Sequence, residues 1–162
     1  MVSVSPQIDI NCKAGASLDT TTAQYRAVYF SADKTVSLIT TATNFTAFAG
    51  ITQGYAAATG SSIPVRVSGV TKARYGYCGT TTSYMLAGSL VTPDVETTTS
   101  QGAVVLTTAS VTEYSTGGSK FILGKCVSGY TRTTLTSTIQ DTFLDIEILP
   151  QIVNRAVATS TV

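Results

Sequence analysis

Ten Lys and Arg, nine Asp and Glu, three Cys and no His are the residues of this chain that could do chemistry. The missing histidine removes the commonest general base, the commonest metal ligand and every Ser-His or Cys-His nucleophile pair. General acid-base work or an oxygen-ligated cation would need converging carboxylates. The carboxylates are scattered as Asp9, Asp19, Asp33, Asp94, Glu96, Glu113, Asp141, Asp145 and Glu147. Only Asp94/Glu96 and Asp145/Glu147 stand close. The second pair sits at i, i+2 on a strand, the spacing of a solvated face or of cross-strand partners. Cys12, Cys78 and Cys126 are odd in number, widely spaced and without a CxxC motif. They fit reduced, half-buried thiols better than a disulfide framework or zinc site. No phosphate-cradling glycine loop opens a helix. The expectation is a protein with no catalytic, metal-binding or cofactor-binding residues, and not an enzyme.

The basic residues have one clear locus. In SIPVRVSGVTKARY (62–75), Ile63, Val65, Val67, Gly69, Thr71, Ala73 and Tyr75 alternate with Pro64, Arg66, Ser68, Val70, Lys72 and Arg74. That period of two predicts a strand covered on one side and basic on the other. The basic face suits an anion, nucleic acid or an acidic neighbour in the sheet. A net charge of +1 and the absence of an aromatic-basic motif argue against nucleic acid and against an anionic membrane surface. The acidic pair Asp145/Glu147 offers cross-strand partners, and an acidic protein neighbour is the remaining destination.

The elements that must position these residues are strands. Charged residues make up 12% of the 162 residues, about half the usual share, and threonine takes much of their place. Threonine is β-branched and covers a sheet face without charge. Strands are predicted over 23–30, 35–40, 48–52, 62–75, 103–109, 119–127 and 142–149, with Pro150 ending the last. A short helical turn is expected within 41–47 and another within 76–89. No run approaches 18 apolar residues, and the start MVSVSPQIDINCK has no signal-peptide pattern. The fold class expected is all-β, a compact sandwich-like or barrel-like single domain with extended terminal arms. The divisions are 1–12 for an N-terminal arm, 13–149 for the β-rich domain and 150–162 for a C-terminal arm. Two internal echoes are present: AGITQGYA (49–56) with LGKCVSGYT (123–131), and VSGVTK (67–72) with VSGYTR (127–132). Duplication and chance both account for matches this short.

The order of the segments resembles a known family. KAGASLDTTTAQYRAVYFSADKTVSL (13–38), FAGITQGYAAATGSSIPVRVSGVTKARYG (48–76), AGSLVTPDVETTTSQGAVVLTT (87–108) and FILGKCVSGYTRTTLTSTIQDTFLDIEIL (121–149) together resemble the capsid decoration, or cement, proteins of tailed bacteriophages. The matching positions are Gly15, Leu18, Asp33, Gly50-Ile51, Val65 to Gly69, Gly88, Val91, Thr92, Asp94, Gly124 and Asp145 to Leu149. Lys125, the Thr-rich stretch 130–142 and the tail after Pro150 depart from the pattern. The resemblance implies a structural virion protein made in the host cytoplasm and seated on the outer surface of the capsid. There it would bridge major capsid protein subunits and neighbouring copies of itself, as a homo-oligomer with trimer as one candidate. Its expected contact residues are Ile8, Ile10, Ile152, Val153, Arg155 and Val157 in the arms, with Arg66, Lys72 and Arg74 on the basic strand face. The competing readings are a carbohydrate- or surface-binding β module of a tail fibre or adhesin, which would need an exposed aromatic platform, and a tail-tube subunit.

Overall fold

A computed structural model describes residues 6–16, 18, 21–76, 83–95, 101–106, 119–128, 130–132 and 143–154. Among the described residues eleven strands follow one another: β1 (Ile8–Ala14), β2 (Ala27–Ala32), β3 (Thr35–Leu38), β4 (Phe48–Thr52), β5 (Ser62–Arg74), β6 (Ser83–Met85), β7 (Leu90–Pro93), β8 (Val104–Leu106), β9 (Ser119–Cys126), β10 (Tyr130–Arg132) and β11 (Phe143–Asn154). The helical content described is two 3-10 turns, Thr21–Ala23 and Ala42–Ala47. The molecule is all-β, as composition and patterning predict.

β1 to β5 close into a barrel. β1 runs antiparallel to β5 and parallel to β3, and the ring is completed by antiparallel β3–β2, β2–β4 and β4–β5 pairs. Strands β7, β8, β9 and β11 repeat that connectivity with β5, while β6 and β10 pair antiparallel in a separate two-stranded sheet. β5 runs antiparallel to β11, and its end meets β8 through a parallel bridge between Tyr75 and Val104. Antiparallel β8–β7, β7–β9 and β9–β11 pairs complete the second ring. Replacing β1, β2, β3, β4 and β5 by β5, β7, β8, β9 and β11 turns the first pairing scheme into the second. Strand β5 serves both, as last strand of one barrel and first strand of the next.

The equivalence extends to single bonds. The Gly15 amide donates to the Val36 carbonyl at 2.7 Å, and the Gly76 amide donates to the Val104 carbonyl at 2.8 Å. Gly50 on β4 lies so close to β5 that a Cβ would sit 2.3 Å from the Arg66 carbonyl oxygen. Gly124 on β9 lies likewise against β11, with 2.0 Å to the Glu147 carbonyl oxygen. The echo between 49–56 and 123–131 therefore falls on equivalent strands. The second echo does not, because 67–72 lies within β5 while 127–132 spans a bend and β10.

Each barrel has its own apolar filling. Cys12, Ala14, Leu18, Val28, Val36, Leu38, Ala49, Ile63 and Val65 form the first core. The second contains Ala73, Tyr75, Met85, Val91, Val104, Leu123, Leu144 and Ile146, and it extends over the outside of the first barrel to Ala27, Ile39, Phe45 and Ile51. Phe45 stacks on Phe121 at 4.8 Å between ring centroids, and Phe48 lies 5.5 Å from the same ring. At roughly 25 cal/mol per Å² of apolar surface removed from water, these buried aliphatic and aromatic side chains are the main stabilising term.

Three expectations change. Residues 8–12, expected in a free arm, form part of β1, because Ile10, Cys12 and Ala14 face inward while Asp9, Asn11 and Lys13 face out. Residues 150–154, expected in the other arm, continue β11 along β9. Pro150 does not end the strand: the register shifts between Ile148 and Gln151, and a bulge spares the proline any need for a ladder donor. Strand β2 also starts later than its apolar run, since Tyr25 has φ +61° and donates its amide to the Thr52 carbonyl at 3.0 Å. Pro6 and Gln7 lie exposed ahead of β1, and the remainder of both expected arms, including Arg155 and Val157, lies outside the described residues, as does Cys78.

Candidate intersubunit surface

The crossing of β1 and β5 gathers several of the expected contact residues. Ile8 pairs in register with Ser68, Asp9 with Arg66 and Ile10 with Val65. Ile8 is exposed, and Ile10 packs half-buried on the first core. The Arg66 guanidinium grips Asp9 with both sides of its fork, Nε to Oδ1 and Nη2 to Oδ2, the latter at 2.9 Å. Its third nitrogen, Nη1, donates to the Val70 carbonyl at 2.9 Å. The hydrogen bonds from Arg66 hold the Asp9 carboxyl below its ordinary range, and the same bonds raise Arg66. A bidentate pair with a backbone anchor fixes Arg66 in place, so its charge serves the sheet.

The basic strand face is otherwise divided. Lys72 is exposed and stands in register with Asp145, the cross-strand pairing that the alternation suggests. Glu147 does not meet Arg66. Its partner across the sheet is Lys125, whose Nζ lies 2.9 Å from Oε2. Arg74, expected on the exposed basic face, is buried at 6% exposure. The turn Thr21–Tyr25 folds over it, so that Nε donates to the Gln24 carbonyl at 3.0 Å and Nη2 to the Thr21 carbonyl at 3.2 Å. Its guanidinium also lies 5.2 Å from the Phe143 ring centroid, and Tyr25 meets the same ring edge-on. A strand alternation says nothing of a turn arriving from another segment, and so Arg74 becomes a clasp between segments and is no longer available as a surface contact.

A second buried arginine continues that clasp. Arg26 donates from Nη1 to the Gln101 carbonyl at 2.9 Å, and from its amide to Thr52 Oγ1 at 3.1 Å. Burial, then the nearby charge of Arg74, push its pKa down to about 10, against a favourable contribution from Asp94. The Ala27 amide donates to Gly102 at 2.6 Å, and the Gly102 amide to the Asp94 carbonyl at 2.9 Å. This seam joins the first barrel to the β7–β8 connection of the second. Burying two arginines demands such dense pairing, since an uncompensated buried charge costs several kcal/mol.

The two described cysteines are buried and free. Burial pushes both the Cys12 and the Cys126 thiols up, and Cys126 Sγ donates to the Ser128 carbonyl at 2.6 Å. Raised thiol pKa values leave little thiolate for reaction. Among the described residues no three His, Cys, Asp or Glu side chains converge. Tyr75 is fully buried, Tyr25 packs on Phe143 and Tyr29 is half-buried against the second core, while Tyr77 lies outside the described residues.

Of the exposed apolar side chains among the described residues, Ile8, Phe30, Tyr55 and Phe143 are dispersed, and four others lie elsewhere. Leu86, Leu90, Val127 and Leu149 are exposed at 65%, 44%, 46% and 38% on the second barrel. Leu90 stands in register with Lys125. The Leu86 turn is tied to the end of β9 by the Gly88 amide, which donates to the Cys126 carbonyl at 2.7 Å. Each stands at the end of a short apolar run beside a turn or the Pro150 bulge, where patterning does not say which way the side chain faces. Ile152 and Val153 lie on β11 opposite Phe121 and Lys120. No protein-family model matches the chain, and a search of curated proteins finds no match.

Proposed function

We propose that this chain is a structural protein of a tailed-bacteriophage head. It binds the outside of the assembled capsid and stabilises it by bridging major capsid protein subunits, with no reaction of its own. The observation that carries the reading is the order of segments over 13–149 that resembles the decoration proteins. The all-β body supports it: two barrels sharing a strand, closed by two cores and a buried arginine seam, make a stiff unit suited to resisting a load. Stiffness matters because a bridging protein that deforms transmits no restraint between the subunits it joins.

The grip assigned to the arms shifts under this structure. Residues 8–12 and 150–154 are spent on sheet pairing, and Arg66 and Arg74 are engaged within the chain. Among the described residues, exposed Ile8, Lys72, Leu86, Leu90, Val127 and Leu149 are open to contact. A weakly charged, hydroxyl-rich surface loses little solvation on docking, and weak contacts repeated over a shell add through effective concentration. The test is to mix purified protein with expanded, undecorated capsids of the source virus. Saturable binding with a raised temperature of genome release is expected; capsids that neither bind the protein nor gain stability would contradict the reading.

A further inference from the structure

The chain contains one contact between like barrels, and each barrel brings a different side to it. The first barrel receives, through the start of β2 and the turn before it. The Ala27 amide donates to the Gly102 carbonyl at 2.6 Å, and the Tyr25 carbonyl accepts from the Arg74 amide at 2.8 Å. The second barrel inserts the end of its β7–β8 connection, Gln101 and Gly102, and a basic residue of its first strand, Arg74. The Gln101 carbonyl accepts from Arg26, and the Arg74 guanidinium donates to two carbonyls of the receiving turn.

The repeat places an exposed counterpart of each half at the two ends of the molecule. The receiving half recurs on the second barrel. The Gly88 amide donates to the Cys126 carbonyl as the Tyr25 amide does to that of Thr52, and the Cys126 amide donates to the Ser89 carbonyl as the Thr52 amide does to that of Arg26. Both turns have positive φ, +61° at Tyr25 and +88° at Gly88, and Leu90 begins β7 as Ala27 begins β2. The inserting half recurs on the first barrel. Phe30 pairs with Val36 as Pro93 pairs with Val104, so Asp33 and Lys34 answer to Gln101 and Gly102. Lys34 has φ +53° where Gly102 has +74°. Because Gly15 and Gly76 make equivalent bonds, Lys13 answers to Arg74. Leu86, Leu90 and Val127 at one end are exposed, as are Lys13, Asp33 and Lys34 at the other. We infer that the first barrel of one copy docks on the second barrel of the next, head to tail, with Lys13 and the Asp33–Lys34 turn against the Leu86–Leu90 turn. Lysine stems cover the apolar side chains while their ammonium groups donate to turn carbonyls. This does not rest on the capsid reading.

Sedimentation equilibrium of the full chain over a concentration series tests it. The wild-type mass should rise past the dimer. Leu90→Asp spoils the receiving end, and the double substitution Lys13→Glu, Lys34→Glu spoils the inserting end. Each variant alone should stay monomeric with an unchanged circular-dichroism spectrum. Their equimolar mixture should give a dimer and nothing larger, because one intact end of each kind remains. Should Leu90→Asp fail to fold, Leu90→Ser takes its place and should weaken the series. A monomeric wild type, assembly that stops at a dimer, or a mixture that stays monomeric would each overturn the inference. A series that ignores undecorated capsids would sink the capsid reading and keep this one; a monomer that binds them would do the reverse.

Discussion

The first and second barrels share one pairing scheme and fill it differently. At seven equivalent inward positions the first has Cys12, Ala14, Val28, Val36, Ala49, Ile63 and Val65, and the second Ala73, Tyr75, Val91, Val104, Leu123, Leu144 and Ile146. Ala14 against Tyr75 and Ala49 against Leu123 are large changes of volume. The smaller residues of the first barrel leave room that Leu18, Ala23 and Ala56 fill from its connecting segments. What stays constant is the glycine where neighbouring strands nearly touch, Gly50 and Gly124. Backbone proximity tolerates no side chain, whereas a lumen tolerates any set of side chains that fills it.

The largest effects should come from emptying the two cores at equivalent places. Ile63→Ala and Leu144→Ala should each cost about 2–5 kcal/mol. Because β5 belongs to both barrels, each should shift one common transition in urea; a biphasic curve for either variant would break the comparison. Next come the close approaches. Gly50→Ala and Gly124→Ala should each cost roughly 1–3 kcal/mol or more, since the new methyl meets backbone and not a movable side chain. Equal losses in urea midpoint would sharpen the equivalence, and a neutral Gly124→Ala would remove it.

The smallest effect concerns outer-face ion pairs, where the barrels differ in partner. In the first barrel Arg66 is held by Asp9 of the first strand; in the second Glu147 is held by Lys125 of the fourth. Asp9 has a folded pKa below its ordinary 3.8. Its contribution is therefore present above about pH 4 and disappears as pH falls through the lower folded value. Asp9 is well exposed, so solvent and salt reduce the gain to a few tenths of a kcal/mol. Asp9→Asn should flatten that part of the acid-stability curve, and an unaltered curve would show that the pair adds nothing.

Much of this was legible in advance, and the omissions have physical causes. Thr35–Leu38 and Ser62–Arg74 follow their alternation, whereas Phe48–Thr52 and Ser119–Cys126 fall where their apolar runs predict strands. Strand β1 carried the same alternation in IDINCKA, hidden because three polar residues among seven resemble a loose end. Leu90–Pro93 is four residues long with a closing proline, too short for a period to register. The shared strand was visible only as unusual length. Its division falls at Gly69, where φ is +89° and a Cβ would lie 2.8 Å from Gln7 Cα. There pairing passes from β1 to β11. Which apolar residues stay exposed was the least legible part, since it depends on which barrel face the rest of the fold covers.

Native-state hydrogen exchange tests the central claim, that one strand welds two like barrels into a single cooperative body. Amides of β2 and β4 and amides of β7 and β9 should converge on the same opening free energy, equal to that of global unfolding. Two plateaus, one for each barrel, would contradict it.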